Sequence, residues 1–351
     1  MTLTRETIDM AILAAPVVVT LLAGLAILLL LLRRWRGSCF VLLVALAINW
    51  YTEQIPLHIP SAVPAVKPEG TIRVLEYNIC GKVEYVPKHQ QPFLDFFKQV
   101  DADILFLPEN SFGTTFKLEE MLKEMYPYSL HDFPEFEASQ KTYPDQTLYS
   151  RYPLSNYQRY GIDTAALRMR HPYLDRQDIA KQGSDIMAFE VDAEIQGRTV
   201  TLLHIHLRTN GYDGAKEDAT GKRSYVSNVY EALTFGYAFR GDEAEVIADS
   251  LRNCPNPLLI CGDFNDISGS RSLRIIQDCR AENVHAEHRD RLQNAWWQGG
   301  CGYGFTFDDQ HLLLRLDHIL YSKEFQLQAV EVPMVDYSDH RPLVADFVIS
   351  E

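Results

Sequence analysis

The chain is poor in cysteine and short of positive charge, and each shortage narrows what it does. Six cysteines are spread over 351 residues, at Cys39, Cys80, Cys254, Cys261, Cys279 and Cys301. None forms a C-x-x-C pair, so a structural zinc site is not expected. Cys39, at the edge of an apolar run, and Cys261, inside one, read as buried thiols. Cys254, Cys279 and Cys301 leave room for one disulfide, whose pairing the spacing does not decide. Lys and Arg number 33 against 47 Asp and Glu. After residue 60 the balance is 29 against 44, a formal charge of −15. So acidic a body has no broad electrostatic footprint for nucleic acid, whose affinity is mostly phosphate neutralisation. Arg168, Arg170, Arg176, Lys181, Arg208, Lys216, Lys222 and Arg223 gather between residues 165 and 225. They read as a local basic groove or, equally well, as a solvated mixed-charge loop. Internal repeats and low-complexity stretches are missing outside one apolar N-terminal segment.

That segment is the most conspicuous thing present. Residues 10–32, MAILAAPVVVTLLAGLAILLLLL, carry no charge and are long enough to span a bilayer as a helix. Arg33, Arg34 and Arg36 follow, and a second apolar run, 39–55, fades at Trp50 and Tyr51, residue types favoured at a membrane interface. A signal-peptide core is normally about 7–15 residues, shorter than this run, and Glu6 and Asp9 precede it. Two transmembrane helices within residues 1–55 are therefore expected. The arginines of the short turn place that turn in the cytoplasm and the remainder of the chain outside it, periplasmic in a Gram-negative cell. Pro56, Pro60, Pro64 and Pro68 make residues 56–70 an extended, stiff spacer. Residues 71–351 form the body.

In the body, short apolar runs alternate with helical patterns. Strands are expected in 71–80, 102–110, 145–154, 185–195, 198–207 and 258–263, and in three final runs from Arg315 onward. Helices are expected at 91–100, over FKLEEMLKEMYP, from about Ser227 to Arg252, and in two short pieces, LRIIQDC and LQNAWW. The fold class is α/β, a four-layer sandwich of two mixed sheets covered by helices.

Chemistry collects where these strands end. LLICGDFND (258–266) delivers Asp263 and Asn265, two residues apart and so expected on one side. Asn78 ends the first strand, Glu109 the second, His206 the LLHIHL strand, and Asp339-His340 precede the last. Asp317 interrupts the apolar run RLDHIL, and a buried carboxylate needs a partner, for which an imidazole is suited. Taken singly, each is an ordinary turn residue, strand end or core histidine. Together, an acid, an amide and Asp-His pairs at buried strand ends are the ingredients of metal-assisted phosphoryl chemistry.

The order VLEYN, ILFLPE, SRYPL, a His-Leu strand end, GDFND, RLDHIL and SDHRPL resembles the endonuclease/exonuclease/phosphatase superfamily. That superfamily includes pancreatic-type deoxyribonucleases, abasic-site endonucleases, inositol-polyphosphate 5-phosphatases and neutral sphingomyelinases. The resemblance covers about residues 70–351 and implies a Mg²⁺- or Mn²⁺-dependent phosphoesterase. It implies that Glu109 holds the metal with help from Asn78 and Asp339, and that Asp263 and Asn265 orient the attacking water and the phosphate. His340 is implied as the catalytic histidine and Asp317 as the carboxylate that orients it. His206 is implied at the scissile phosphate, with Asn78, Asn265 and Arg208 on the substrate side. Three positions depart from the pattern: Pro108 stands where many relatives have Gln, Cys80 where some nucleases have an acid, and Glu76 where a small or polar residue is usual.

The expected activity is a membrane-anchored phosphoesterase working outside the cytoplasm on phosphodiester or phosphomonoester bonds. Nuclease is the superfamily's default. A lipid, inositol-phosphate or sugar-phosphate esterase is the alternative, favoured by the acidic body and the anchor. A non-catalytic binding scaffold is the alternative of another class, set against the full complement of site residues. The partners expected are the phosphate-ester substrate and a lipid bilayer along residues 10–55; no protein partner is expected.

Overall fold

The computed structural model describes residues 5–59, 62–79, 87–110, 118–132, 146–162, 186–209, 225–309 and 312–350. Cys80 and most of the 165–225 basic cluster lie outside them.

Two six-stranded mixed sheets form the body. The first runs β13-β14-β1-β2-β4-β3, with β1 Ile72–Glu76, β2 Ile104–Pro108, β3 Tyr128–Asp132, β4 Gln146–Ser150, β13 Phe325–Glu331 and β14 Leu343–Ile349. The second runs β5-β6-β7-β8-β12-β9, with β5 Leu154–Gly161, β6 Ile186–Ile195, β7 Arg198–His206, β8 Leu258–Asp263, β9 Gln293–Asn294 and β12 Asp317–Tyr321. Each sheet holds one parallel pair at its middle, β1 with β2 and β7 with β8. Alternation along each strand sorts its side chains between two layers. In β8, Leu259 and Cys261 enter the core between the sheets, while Leu258 and Ile260 meet the outer helices α6 (Tyr225–Leu251) and α7 (Arg271–Gln277). In β1, Val74 faces the other sheet. Leu75 joins Phe93 and Phe97 of α4 (Pro87–Val100) and Leu122 of α5 (Leu118–Met125) on the outside. The expected four layers are therefore present.

A turn and a close approach set the registers that matter. β6 and β7 join through Gln196 and Gly197, both at positive φ, 52° and 79°, the conformation that suits a two-residue hairpin. β7 pairs with β8 so that Ile205 faces Gly262 and His206 faces Asp263. A Cβ on Gly262, at φ 147°, would stand 1.8 Å from the Ile205 carbonyl oxygen. The glycine of GDFND thus admits the backbone contact that sets Asp263 beside His206. Four strands had no sequence signal. β3 and β5 are the edge strands at one end of each sheet. The hairpin of β10 (Phe307–Asp309) and β11 (Leu312–Leu314) stands apart. Short α8, Ala295–Gly299, completes the body.

The N-terminal region differs in three ways from the expectation. The first apolar run is not one helix: α1 (Arg5–Leu13) and α2 (Ala15–Leu31) meet at a 51° bend, with Pro16 in the first turn of α2. A proline lacks the N–H that would carry the helix through, so the break falls there. The second run is α3, Trp35–Thr52, closed by Glu53 in the left-handed conformation. Among the described residues no single helix is both long and apolar enough to cross a membrane; α1 and α2 meet that requirement only as a bent pair. The proline-rich segment, finally, lies along the body instead of standing it off. Leu57 bridges to Cys301, Pro56 accepts from Gly302 N, and the Pro64 carbonyl accepts from Arg73 Nη2. α2 and α3 pack as a hairpin, with Ser38 Oγ donating to the Ala26 carbonyl. Cys39 is exposed there, not buried; Cys261 and Cys279 are buried, and none of the described cysteines is in a disulfide.

Candidate active site

Strand ends from both sheets meet at one edge of the sandwich. Asn78, just past β1, is wholly buried and donates through Nδ2 to Glu109 Oε1 at 3.1 Å and to Asp263 Oδ2 at 3.0 Å. Glu109 follows β2 at φ 51°, a left-handed turn that side chains adopt at a cost and that recurs at functional sites. His206 Nε2 stands 3.7 Å from Glu109 Oε1 and 3.9 Å from Asp263 Oδ2. On the far side of Asp263, His340 Nε2 lies 3.8 Å from Oδ2, and His340 Nδ1 meets Asp317 Oδ2 at 2.8 Å. Asp263, Asp317 and His340 are buried, while the Glu109 side chain is 38% exposed, so the site opens on the Glu109 side.

The remaining expected residues stand nearby. Asn265 does not share a strand face with Asp263. The chain turns at φ 50°, Asn265 N donates to Asp263 Oδ1 at 2.7 Å, and its Nδ2 donates to the Leu207 carbonyl. Asn265 therefore holds the Asp263 carboxylate from behind. Asp339 is outside the converging ligand sets; its carboxylate accepts from Ser338 Oγ, and its carbonyl accepts from Asp308 N. The Arg208 guanidinium lies over the Phe239 ring at 4.7 Å, and its backbone N donates to Glu243. His204, two residues before His206, sits between the Phe106 and Phe189 rings in the core between the sheets.

Three groups escaped the sequence reading. Glu76 is wholly buried, and burial together with Asp317 and Asp263 raises its carboxyl well above the ordinary range. Its departure from the superfamily pattern was the one available signal. Thr306 Oγ1 accepts from the backbone N of Leu316 and of Asp317, fixing the start of β12. The Phe307 ring packs edge-on against His340 with centroids 5.0 Å apart, and the two residues form a backbone bridge. The β10–β11 hairpin that carries Phe307 had no pattern to reveal it.

Electrostatics divide the two histidine sides. Burial alone would lower the His340 pKa, but Asp317 and then Asp263 outweigh it and raise it to about 9, so the ring is cationic at neutral pH. Asp263 is pushed up to about 6 by burial and by Asp317, with His340 and His206 opposing. Four carboxylates, Glu76, Glu109, Asp263 and Asp317, thus crowd around two imidazoles. Glu109, His206 and Asp263 offer ligand atoms within 4.8 Å of one another, as do Asp263, Asp317 and His340. Carboxylate oxygens at the open side, with an amide alongside, are donors that suit a hard divalent cation such as Mg²⁺ or Mn²⁺. Glu109 and Asp263 would hold it, with Asn78 steadying both. When bound, such an ion supplies Lewis-acid polarisation of a phosphoryl oxygen. The protein's own groups stand beside it: His340, held by Asp317, turns Nε2 toward Asp263, where an N–H would face the charge that grows on an attacked phosphate. Asp263 is fixed between them by Asn265 N and Asn78 Nδ2.

Residues 75–340 match the sequence pattern of the endonuclease/exonuclease/phosphatase family. UPF0294 proteins of Vibrio cholerae and Vibrio vulnificus are 27% and 28% identical over 129 and 133 residues. Those matches cover 36% and 37% of this chain, and it spans about two fifths (41%) of the length of these curated relatives. Among solved structures, the human Nocturnin catalytic domain with bound sulfate aligns at TM-score 0.51 and 17% identity, covering 81% of this chain and 97% of that one. A humanized D. rerio TDP2 aligns at TM-score 0.50 and 13% identity over 80% and 99% of the two chains. An endonuclease/exonuclease/phosphatase of Beutenbergia cavernae aligns at TM-score 0.50 and 17% identity over 80% and 72%. At these identities the structural likeness speaks for the fold, and the family pattern, spanning every strand-end residue from Asn78 to His340, speaks for the chemistry. The chain belongs to the endonuclease/exonuclease/phosphatase family.

Proposed function

We propose that this chain is a membrane-anchored hydrolase that uses Mg²⁺ or Mn²⁺ to cleave phosphate esters outside the cytoplasm. The observation that carries the catalytic part is the meeting of Asn78, Glu109, His206, Asp263, Asp317 and His340 at one sheet edge, across 263 positions of sequence, with a 2.8 Å Asp317–His340 pair. Purified full-length protein should hydrolyse bis(p-nitrophenyl) phosphate with Mg²⁺ or Mn²⁺ and stop in EDTA. Turnover that ignores EDTA, or survives in Asp263→Asn and His340→Ala, excludes the reading.

The anchor is supported by exposure. Leu21, Leu31, Phe40 and Leu43 of the α2–α3 hairpin are each about two-thirds exposed or more. Large apolar patches in the open mark a membrane or partner surface. At about 1.5 Å per residue, α2 and α3 reach ~26 Å, close to the ~30 Å hydrocarbon core. Arg33, Arg34 and Arg36 lie at the hairpin tip, consistent with a cytoplasmic turn. Alkaline phosphatase fused after Glu351 should be active in intact cells; activity confined to a cytoplasm-only reporter at that position rules out the outward orientation.

A further inference from the structure

The root of the α2–α3 hairpin and the active site occupy the same end of the body. Arg315, nearly fully buried, donates to the carbonyls of Glu53, Gln54 and Tyr303 and to Ser268 Oγ, closing the last turn of α3. The Tyr303 hydroxyl meets Thr20 Oγ1 and donates to the Pro16 carbonyl in the first turns of α2. Ile12 of α1 packs with Ile267 and Leu316, against Phe307 and Leu314. Each of these body residues is a near neighbour of the chemistry. Arg315 and Leu316 immediately precede Asp317, Ile267 follows Asn265 by two, and Phe307 touches His340. From Tyr303, at α2, to Phe307, at His340, is four residues, about 14 Å at full extension.

The membrane surface then falls beside the active site. In a spanning hairpin, Trp50 and Tyr51 mark the interface, and Tyr51 is held there by the Arg274 guanidinium, 4.1 Å over its ring. Lipid headgroups occupy a layer of roughly 5–8 Å beyond the hydrocarbon. That layer would stand at the level of Tyr303, one short loop from His340. Apolar side chains stand open near the hairpin root: Leu57 and Trp50 are 75% exposed and Leu313 of β11 is 46% exposed. A nucleic acid reaching the same site would pass between a body of formal charge −15 after residue 60 and the headgroup layer. Neither offers a broad positive surface to its phosphates.

We propose that the catalytic end of the body rests on the bilayer and that the bond cleaved is the phosphodiester of a membrane lipid headgroup. This rests on the anchored-hydrolase reading above and narrows its substrate, in place of the nuclease default. In the reaction, a water oxygen forms the new bond to phosphorus, the ester P–O bond breaks, and the leaving alcohol oxygen takes a proton. Leu57, Trp50 and Leu313, outside the catalytic set, hold the lipid surface against this end of the body.

The test reconstitutes the full-length protein with Mg²⁺ in vesicles of phosphatidylethanolamine and phosphatidylcholine, and measures release of water-soluble headgroup product. Bis(p-nitrophenyl) phosphate and a DNA oligonucleotide are assayed in the same vesicles. Lipid cleavage should exceed DNA cleavage by at least about tenfold in kcat/KM. Leu313→Glu, a charge on a residue already half exposed, should cut lipid turnover by about fivefold or more while the soluble diester changes less than about twofold. Leu57→Glu should act in the same direction. Soluble-diester turnover with the lipids left intact, whether or not DNA is cut, overturns the proposal and leaves the hydrolase reading standing. So does an equal loss on lipid and soluble diester in Leu313→Glu. No turnover of any ester overturns the hydrolase reading, and this proposal with it.

Discussion

Replacing Asp317 with Asn should bring the His340 pKa down toward neutral. The two side chains join at 2.8 Å and both are buried. Burial pushes the imidazolium down, and Asp317, with Asp263 next, more than reverses that to give about 9. An opposite charge at this range moves a pKa by roughly 1–3 units. Asn keeps the shape and loses the charge, so His340 should fall by at least about 1.5 units, or ~2 kcal/mol between the two protonation states. The stability consequence follows in sign. The folded value lies above the ordinary 6.5, so the stabilisation is complete below pH 6.5 and is lost as pH rises through about 9. Between about pH 7 and 8.5 the wild type should lose roughly 1.5–2 kcal/mol from this group, and Asp317→Asn far less. Asp263, raised to about 6, has largely finished titrating by then. Glu76, raised well above its ordinary value, adds a loss of the same sign, so both proteins are compared in a Glu76→Gln background. The assay is an NMR titration of the His340 ring in EDTA, where no divalent cation competes, with urea unfolding at the two pH values. A His340 pKa that moves by less than about half a unit would refute the assignment of its charge to Asp317.

Three further outcomes follow from particular contacts. Glu109→Gln removes a half-open ligand's charge at constant shape. Activity with Mg²⁺ should drop by about a hundredfold or more while the melting temperature in EDTA moves little; unchanged kcat/KM would remove Glu109 from the metal site. Gly262→Ala places a Cβ 1.8 Å from the Ile205 carbonyl oxygen, so β7 and β8 must part. A loss of about 3 kcal/mol or more in denaturant unfolding is expected, and a wild-type midpoint would contradict the register. Arg73→Met strands Asp346, whose carboxylate meets Arg73 Nε at 2.7 Å with both side chains 1% exposed. The cost should be about 3–5 kcal/mol, and Arg73→Met with Asp346→Leu should recover much of it in the same unfolding assay.

How much was legible in the sequence varies with the range of the cause. Strands β1, β2, β7, β8, β12 and β14 were legible because burial on one or both faces writes itself as runs of Val, Ile and Leu. The edge strands β3 and β5 and the β10–β11 hairpin were not, because a half-solvated strand of mixed polarity has no periodic signature. The break at Ala14 shows the same limit. Pro16 was in plain view, but whether it ends, starts or merely bends a helix depends on what α1 packs against, here Ile267 and Leu316, some 250 residues away. The proline-rich stretch likewise read as a free spacer until its partners, Cys301, Gly302 and Arg73, were beside it.

For the site, residue type and strand-end position by themselves determined Asn78, Glu109, His206, Asp263, Asp317 and His340, since a carboxylate or imidazole after an apolar strand has few other uses in such number. Tertiary structure alone decided their division of labour. Asn265 meets Asp263 through its backbone N, because the chain turns there at positive φ, and Asp339 stands outside the converging ligand sets. Glu76, Thr306 and Phe307 acquired meaning only when folding set them against Asp317 and His340. The sequence determines which groups are available and where strands end. Which of them share a few ångströms, and which end of the body the N-terminal hairpin meets, depends on contacts between segments far apart in the chain, and no local pattern encodes those.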